Sequence, residues 1–460
     1  MALGVSSLAA GALSLEIAAA ARRVIVIGAG LSGLRTAMLL QKIGFEVRVV
    51  EGRNRVGGRV FTLDYLSGHP EAGSNVIGPN YGRILDVANS LGLAIEEPPQ
   101  PFKSGYIING ERISKASWPT SLQNPFPPDL KKITPDRIVA TLLKKNPLQG
   151  TSDWRKPRNK KLDISAADFF RASGLSNEAL KLIDSNNSYG NSLSETSLLA
   201  LHKVSRAYKR AMSMEKKVFE LESGNMRLPE RMASSLLDAP ILGEQVVSVN
   251  RSDGFVRINT YSGREILGDA VVFALPTSAL RKIYVEPQLP SDQAEAIEQL
   301  SYHKVLQLHL LAQEPFWKSS QNFAGYWTNG PLGRIFTRPI PDSDKANITI
   351  WINGDSCDQF VSQSREQAIS NILSIYYSQV PEARGKVAFG EYIDWITNPF
   401  NEGAWAMWRP GDISRYADLL HKPSDRYFFA GEHTAYSNAG MEGAMESADR
   451  VVVEVLRALS

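Results

Sequence analysis

Residues 23–60, RVIVIGAGLSGLRTAMLLQKIGFEVRVVEGRNRVGGRV, constrain the fold more than any other part of the chain. Val24 to Ile27 form a short, wholly apolar run, which predicts a parallel strand buried on both faces. The turn Gly28-Ala29-Gly30-Leu31-Ser32-Gly33 then leads into a helical pattern through Leu34, Ala37, Met38 and Leu40. A second apolar strand, Val47 to Val50, ends at Glu51. In this βαβ order Gly28 permits the tight turn, Gly30 leaves the backbone open to a pyrophosphate, and Gly33 lets the helix pack closely on the strand. Leu31 and Ser32 begin the helix, where unpaired N–H groups and the positive dipole end favour phosphate. Glu51 stands 23 residues after Gly28, where a carboxylate accepts hydrogen bonds from a ribose and disfavours a 2′-phosphate.

Two further stretches narrow the choice of dinucleotide. Glu51-Gly-Arg53-Asn-Arg55-Val-Gly57-Gly58-Arg59 brings a second glycine pair and three arginines beside the diphosphate. Near the other end, Tyr427-Phe-Phe-Ala-Gly431-Glu432-His433-Thr434 reads as a strand entering a polar turn. A helix with Ala444, Ala448, Val451 and Val455 on one side follows. On these residues the sequence resembles the flavin-containing amine oxidases, the family of monoamine, polyamine and L-amino acid oxidases. The resemblance extends to Ala72-Gly73-Ser74-Asn75, to Gln245-Val246, to Gln313–Trp317 and to Gly403–Gly411. It implies that the E-x-R-x-R-x-GGR stretch marks an FAD site, with Gly73, Ser74, Asn75, Gly431, Glu432 and Met441 on the cofactor and Val246 at the adenine. It also implies that the start of the last helix faces the flavin pyrimidine edge.

The fold implied is α/β: a Rossmann-type FAD-binding domain assembled from residues 22–90, 220–290 and 420–460, and a discontinuous α+β substrate-binding domain from 91–219 and 291–419. Residues 1–21 read either as a truncated export signal or as a packed N-terminal segment, which places the chain in the periplasm or the cytoplasm. A membrane anchor is disfavoured, because the Ala, Gly and Ser content makes insertion marginal. With 460 residues, 43% of them hydrophobic, the chain buries a large core in more than one domain. Lys and Arg number 51 against 48 Asp and Glu, too even a balance for a nucleic-acid protein. One cysteine, Cys357, and six scattered histidines exclude an internal disulfide and argue against a metal site. The basic run 131–161, with ten Lys and Arg, reads as a solvated face, and Phe169, Phe170 and Tyr189 read as core. A homodimer is left open.

Three positions carry the expected chemistry. In the family two aromatic rings flank the flavin and guide a neutral amine. Trp405 matches the first, and Gly440 stands where the second belongs. The family's lysine, about ten residues before the Trp of the PFW stretch, is replaced by Gln307, which holds a water but brings no charge. Lys304, at an odd offset on the same strand, points to the other face. That substitution predicts slow reaction with oxygen and leaves room for another acceptor, a cytochrome or a quinone. Ala404 occupies the position of the flavin-linking cysteine in monoamine oxidases, so the FAD is expected to be noncovalent. Arg83 aligns with a structural arginine rather than a carboxylate-binding one. The resemblance thus implies oxidation of a small amine by hydride transfer to flavin, giving an imine that hydrolyses to an aldehyde or ketone. The alternatives are an L-amino acid oxidase on the same scaffold and a flavin-bound protein without turnover.

Overall fold

The computed structural model describes residues 22–215, 217–252, 254–319 and 323–459, so the signal-or-helix question at residues 1–21 lies outside the described residues. Strand β1 (Arg23–Ile27) passes through the Gly28–Gly33 turn into helix α1 (Leu31–Lys42) and returns as β2 (Glu46–Val50). Far along the chain come helix α2 (Leu198–Met214), strand β3 (Ala270–Phe273), strand β4 (Tyr427–Phe429) and helix α3 (Gly440–Leu459). The four strands form one parallel sheet in the order β2-β1-β3-β4. Ile27 lies between Val50 and Phe273, and Phe273 lies opposite Phe429. Ile241 extends the β2 edge: its N–H donates to the Val49 carbonyl at 2.9 Å, and its carbonyl accepts from the Glu51 N–H at 2.8 Å.

A parallel sheet is stable only with both faces covered, and the side-chain alternation of β1 shows how this one is. Val24 and Val26 join a core with Leu34, Ala37 and Leu40 of α1 and Met445, Val451 and Val455 of α3. Ile25 and Ile27 point the other way, to Val249, Val256 and Ile258 of an antiparallel meander. That meander runs Val246–Ser252, Phe255–Thr260 and Glu265–Gly268, with Tyr284–Glu286 at its edge.

The second large sheet has seven strands and mixed directions. Its strand Val305–Ala312 is paired on both sides, antiparallel to Ala346–Asn353 and to Val387–Asp394. Leu306, Leu308 and Leu310 fill the core on one face. The period of two therefore turns Gln307 and His309 to the opposite face, and the register sets Trp351 directly beside Gln307. Helix α2 closes this side, capped by Ser197, whose Oγ accepts from the Ala200 N–H at 3.4 Å. The basic run 131–161 departs from expectation at one residue. The Arg155 side chain is buried, with its guanidinium 4.2 Å from the centroid of the Tyr436 ring and donating to the Ala435 carbonyl at 3.2 Å. Among the described residues no helix is long and apolar enough to cross a membrane, and no cluster of His, Cys, Asp and Glu is arranged to hold a metal.

A very close approach lies under the first turn. A Cβ on Gly33 would sit 1.9 Å from the Gly28 carbonyl oxygen, and neither backbone segment is free to move away. Gly33→Ala is expected to cost about 1–3 kcal/mol of stability by urea titration, the range for overpacking a close contact.

Candidate active site

A single cavity of about 380 Å³ reaches from Glu51 and Val246 to Gln307, Trp351 and Trp405, so it opens at the carboxyl ends of the parallel strands. At its first end Gly28 has φ +107°, and a Cβ there would meet the Ala274 carbonyl at 2.6 Å. Gly30 faces open space instead. Helix α1 has no side-chain cap and no acid in its first turn, so the N–H groups at Leu31 and Ser32, both on the cavity wall, are available to an anion. The Glu51 carboxylate is buried and fixed by the Ala29 N–H at 2.8 Å and the Arg53 N–H at 2.9 Å, with acceptor capacity left over. Gly57 and Gly58 run alongside, the Gly57 N–H donating to the Ala29 carbonyl at 2.8 Å. Open amides, a held carboxylate and the close backbone approach that Gly30 allows together fit a dinucleotide.

The three arginines separate in role. Arg55 ties its own loop, donating to the carbonyls of Val56, Gly58 and Val60. Arg53 bonds Asn398 and Asn401 and lies 4.8 Å from the Phe400 ring centroid. Arg59 joins the two ends of the chain, donating at 3.0 Å to both the Ala404 carbonyl and a Glu432 carboxylate oxygen. Burial works to raise the Glu432 carboxyl, but Arg59 and the Ala406 N–H outweigh it and hold the group below the usual carboxylate range. Gly73, Ser74, Val246, Gly431, Gly440 and Met441 also line the cavity. Two residues expected on the cofactor do not. Gly33 is packed beneath Gly28, and Asn75 is exposed because the chain turns outward after Ser74, its carbonyl accepting from the Asn225 side chain at 3.1 Å.

At the other end Trp405 stacks on His303, with ring centroids 5.0 Å apart and planes at 26°, and tilts against Trp351 at 6.2 Å. Its indole N–H donates to the Ser188 carbonyl at 3.1 Å, which draws the 188–189 segment onto the cavity. Tyr189 consequently lines the cavity rather than the core, while Phe170 is buried and Phe169 packs beside it as expected. Gly440 has φ +56°, and a Cβ there would lie 3.7 Å from the Tyr81 hydroxyl. Gln307 reaches the wall but is engaged: its amide N–H donates to the Ala72 carbonyl at 3.0 Å, and its carbonyl oxygen pairs with His309 Nε2 at 2.8 Å. The Trp395 indole donates to the same Ala72 carbonyl at 3.0 Å. Lys304 turns away to Asp358 at 2.7 Å. Arg83 lies off the cavity, paired with Glu442 and Asp449 of α3. Ala404 lines the cavity, whereas Cys357 is buried in the seven-stranded sheet's core, where burial pushes its thiol up.

Trp351, Trp395 and Lys203 are among the wall residues that escaped the sequence reading. Ala200, Lys203 and Val204 share one face of α2, all on the cavity. A lysine on the apolar stripe of an amphipathic helix was the legible signal. Lys203 is only 9% exposed, and its Nζ lies 3.9 Å from the centroid of the Trp154 ring. Burial, with Arg155 nearby, pushes this ammonium down to about 8 against the opposing pull of Glu432 and Glu446. The histidines at this end, His303 at about 3 and His309 and His433 at about 4, are held neutral chiefly by burial.

A folded-state pKa near 8, below the unfolded value of 10.5, means that the unfolded chain binds the extra proton between these limits. Lys203 therefore destabilises the unliganded fold in full below pH 8, and the penalty fades as pH rises through 10.5. Lys203→Met is expected to raise the melting temperature of ligand-free protein at pH 7, with the gain vanishing at high pH in a melting series.

The comparisons agree with this geometry. Residues 31–456 match the family described as flavin containing amine oxidoreductase. The chain is 25% identical over 469 residues to amine oxidase [flavin-containing] B of Mus musculus, covering 95% of this chain and 86% of that protein. It is 27% identical over 462 residues to an L-amino-acid oxidase of Siganus canaliculatus, covering 94% and 85%. Among solved structures, putrescine oxidase bound to putrescine superposes with a TM-score of 0.80 at 21% identity, over 95% of this chain and 99% of that one. Cyclohexylamine oxidase from Brevibacterium oxydans IH-35A gives 0.77 at 21% identity, over the same shares.

Proposed function

The chain belongs to the flavin-containing amine oxidoreductase family, and from that membership we propose that it binds FAD noncovalently and oxidises a small amine lacking an α-carboxylate to the imine, which hydrolyses to an aldehyde or ketone. The observation that carries this reading is one continuous cavity joining the Gly28–Gly33 turn and Glu51 to the aromatic walls at Trp405 and Trp351. The flavin, when bound, supplies the two-electron acceptor for the hydride from the carbon beside nitrogen.

The chain's own residues hold and orient. Leu31 and Ser32 offer helix-terminal amides to the diphosphate, and Glu51 offers its carboxylate to the ribose. Arg59 and Glu432 clamp the segment that presents Ala404 and Trp405. Trp405 and Trp351 present apolar ring faces that exclude water and favour an uncharged amine. The neutral His303 and His309 add no charge to compete with it. The missing α-carboxylate site follows from the arginines: Arg83 is paired with α3, and Arg53 and Arg59 are already hydrogen-bonded. Noncovalent FAD follows from Ala404, which has no thiol to bond it. At Gln307 the wall lacks the cation that would attract superoxide, which favours slow reaction with oxygen and a second acceptor such as a quinone or cytochrome.

Anaerobic mixing with a panel of amines and amino acids tests the reading. Amines are expected to bleach the flavin's visible band. Bleaching by amino acids alone would transfer the assignment to an L-amino acid oxidase, and bleaching by neither would leave a flavin-bound protein without turnover. Acid precipitation is expected to release all the FAD into the supernatant. In stopped flow, Gln307→Lys is expected to speed reoxidation by oxygen about tenfold, the scale of one added charge at short range. Rapid reoxidation of the unaltered protein would overturn the role given to Gln307.

A further inference from the structure

Lys203 stands out as a cation without a counter-ion. A buried ammonium is costly unless paired, yet among the described residues Lys203 Nζ has neither a hydrogen-bond acceptor nor a carboxylate within ion-pair distance. What it has is the Trp154 ring at 3.9 Å. The two acids that act on it from a distance are already committed. Glu446 accepts the N–H groups of Tyr436, Ser437 and Asn438, together with the Asn438 side chain. Glu432 accepts from Arg59 and from the Ala406 N–H. Neither can turn to the lysine without abandoning several bonds. The platform beneath the ammonium is fixed as well, because the Trp154 indole N–H donates to the Tyr436 carbonyl at 2.6 Å. Lys203 lines the cavity wall, and no acceptor among the described residues uses its donors.

We propose that Lys203 is an anion receptor of the cavity, donating to a negatively charged oxygen carried by what binds there. Two sources share that chemistry. One is the negative charge that bound flavin gains on reduction, a source that rests on the function proposed above. The other is a carboxylate on the substrate, remote from its amine. In either case the cost of burying the ammonium is recovered only in the loaded state.

The test compares flavin-loaded wild type with Lys203→Met and Lys203→Arg, and with Lys203→Gln as a second neutral variant. If the flavin is the source, both neutral variants lower its midpoint potential and weaken sulfite binding about tenfold, while Lys203→Arg retains most of both, as a charge effect at short range requires. If a substrate carboxylate is the source, potential and sulfite affinity hold, and KM for carboxylate-bearing amines rises about tenfold relative to uncharged amines. Loss of flavin loading in the neutral variants but not in Lys203→Arg also supports a cofactor role. Folded, flavin-loaded neutral variants that match wild type in potential, sulfite affinity and KM ratio overturn the proposal. Should the wild type carry no flavin, the proposed function fails separately. Calorimetry with benzoate then decides Lys203 alone: binding lost in the neutral variants supports the receptor, and equal binding or none refutes it.

Discussion

The hydrogen-bonding needs of β1 organise this molecule. A parallel strand cannot pair with its immediate successor through a tight turn, so β1 finds one neighbour at residues 46–50 and the other at 270–273, with 427–429 beyond. This arrangement brings the turns after β1 and β4 to the same end of the sheet, and residues about four hundred positions apart share one wall. The Arg59–Glu432 pair crosses that junction and fixes Ala404 at the same time. The end of the cavity at the Gly28–Gly33 turn and the aromatic end are therefore joined by a common framework.

Electrically the aromatic end is quiet. Its histidines are neutral, its glutamine is engaged with Ala72 and His309, and the indoles of Trp395 and Trp405 are bonded to carbonyls. Against that background the ammonium at Lys203, buried and answered only at a distance by Glu432 and Glu446, weighs more than it would on a polar wall.

The parts of the site legible in the sequence were those fixed by local demands. Gly33 answers a steric limit set five residues earlier by the Gly28 carbonyl, Gly28 itself takes a φ of +107° in the turn, and Glu51 follows from the spacing of the βαβ unit. Gln307 and Lys304 were assigned to opposite faces by strand alternation alone, and Lys304 does turn away to Asp358. Asn75 was misplaced because nothing local encodes the direction in which the chain leaves Ser74. Tyr189 and Lys203 come from the stretch 95–220, where the sequence reading assigned no site residue. Tyr189 reaches the cavity only because Ser188 meets Trp405 more than two hundred residues on. Trp351 is set by its register with Gln307, a pairing between strands that no single-sequence period encodes.

Cys357 carries a practical consequence. Its thiol is buried in the seven-stranded sheet's core, 3.5 Å from the Ile352 carbonyl oxygen, and burial opposes formation of the reactive thiolate. No other cysteine occurs in the chain. A cysteine introduced at an exposed position such as Leu122 is thus the sole accessible handle for a fluorophore or spin label, and distances across the two sheets become measurable without first removing a native thiol.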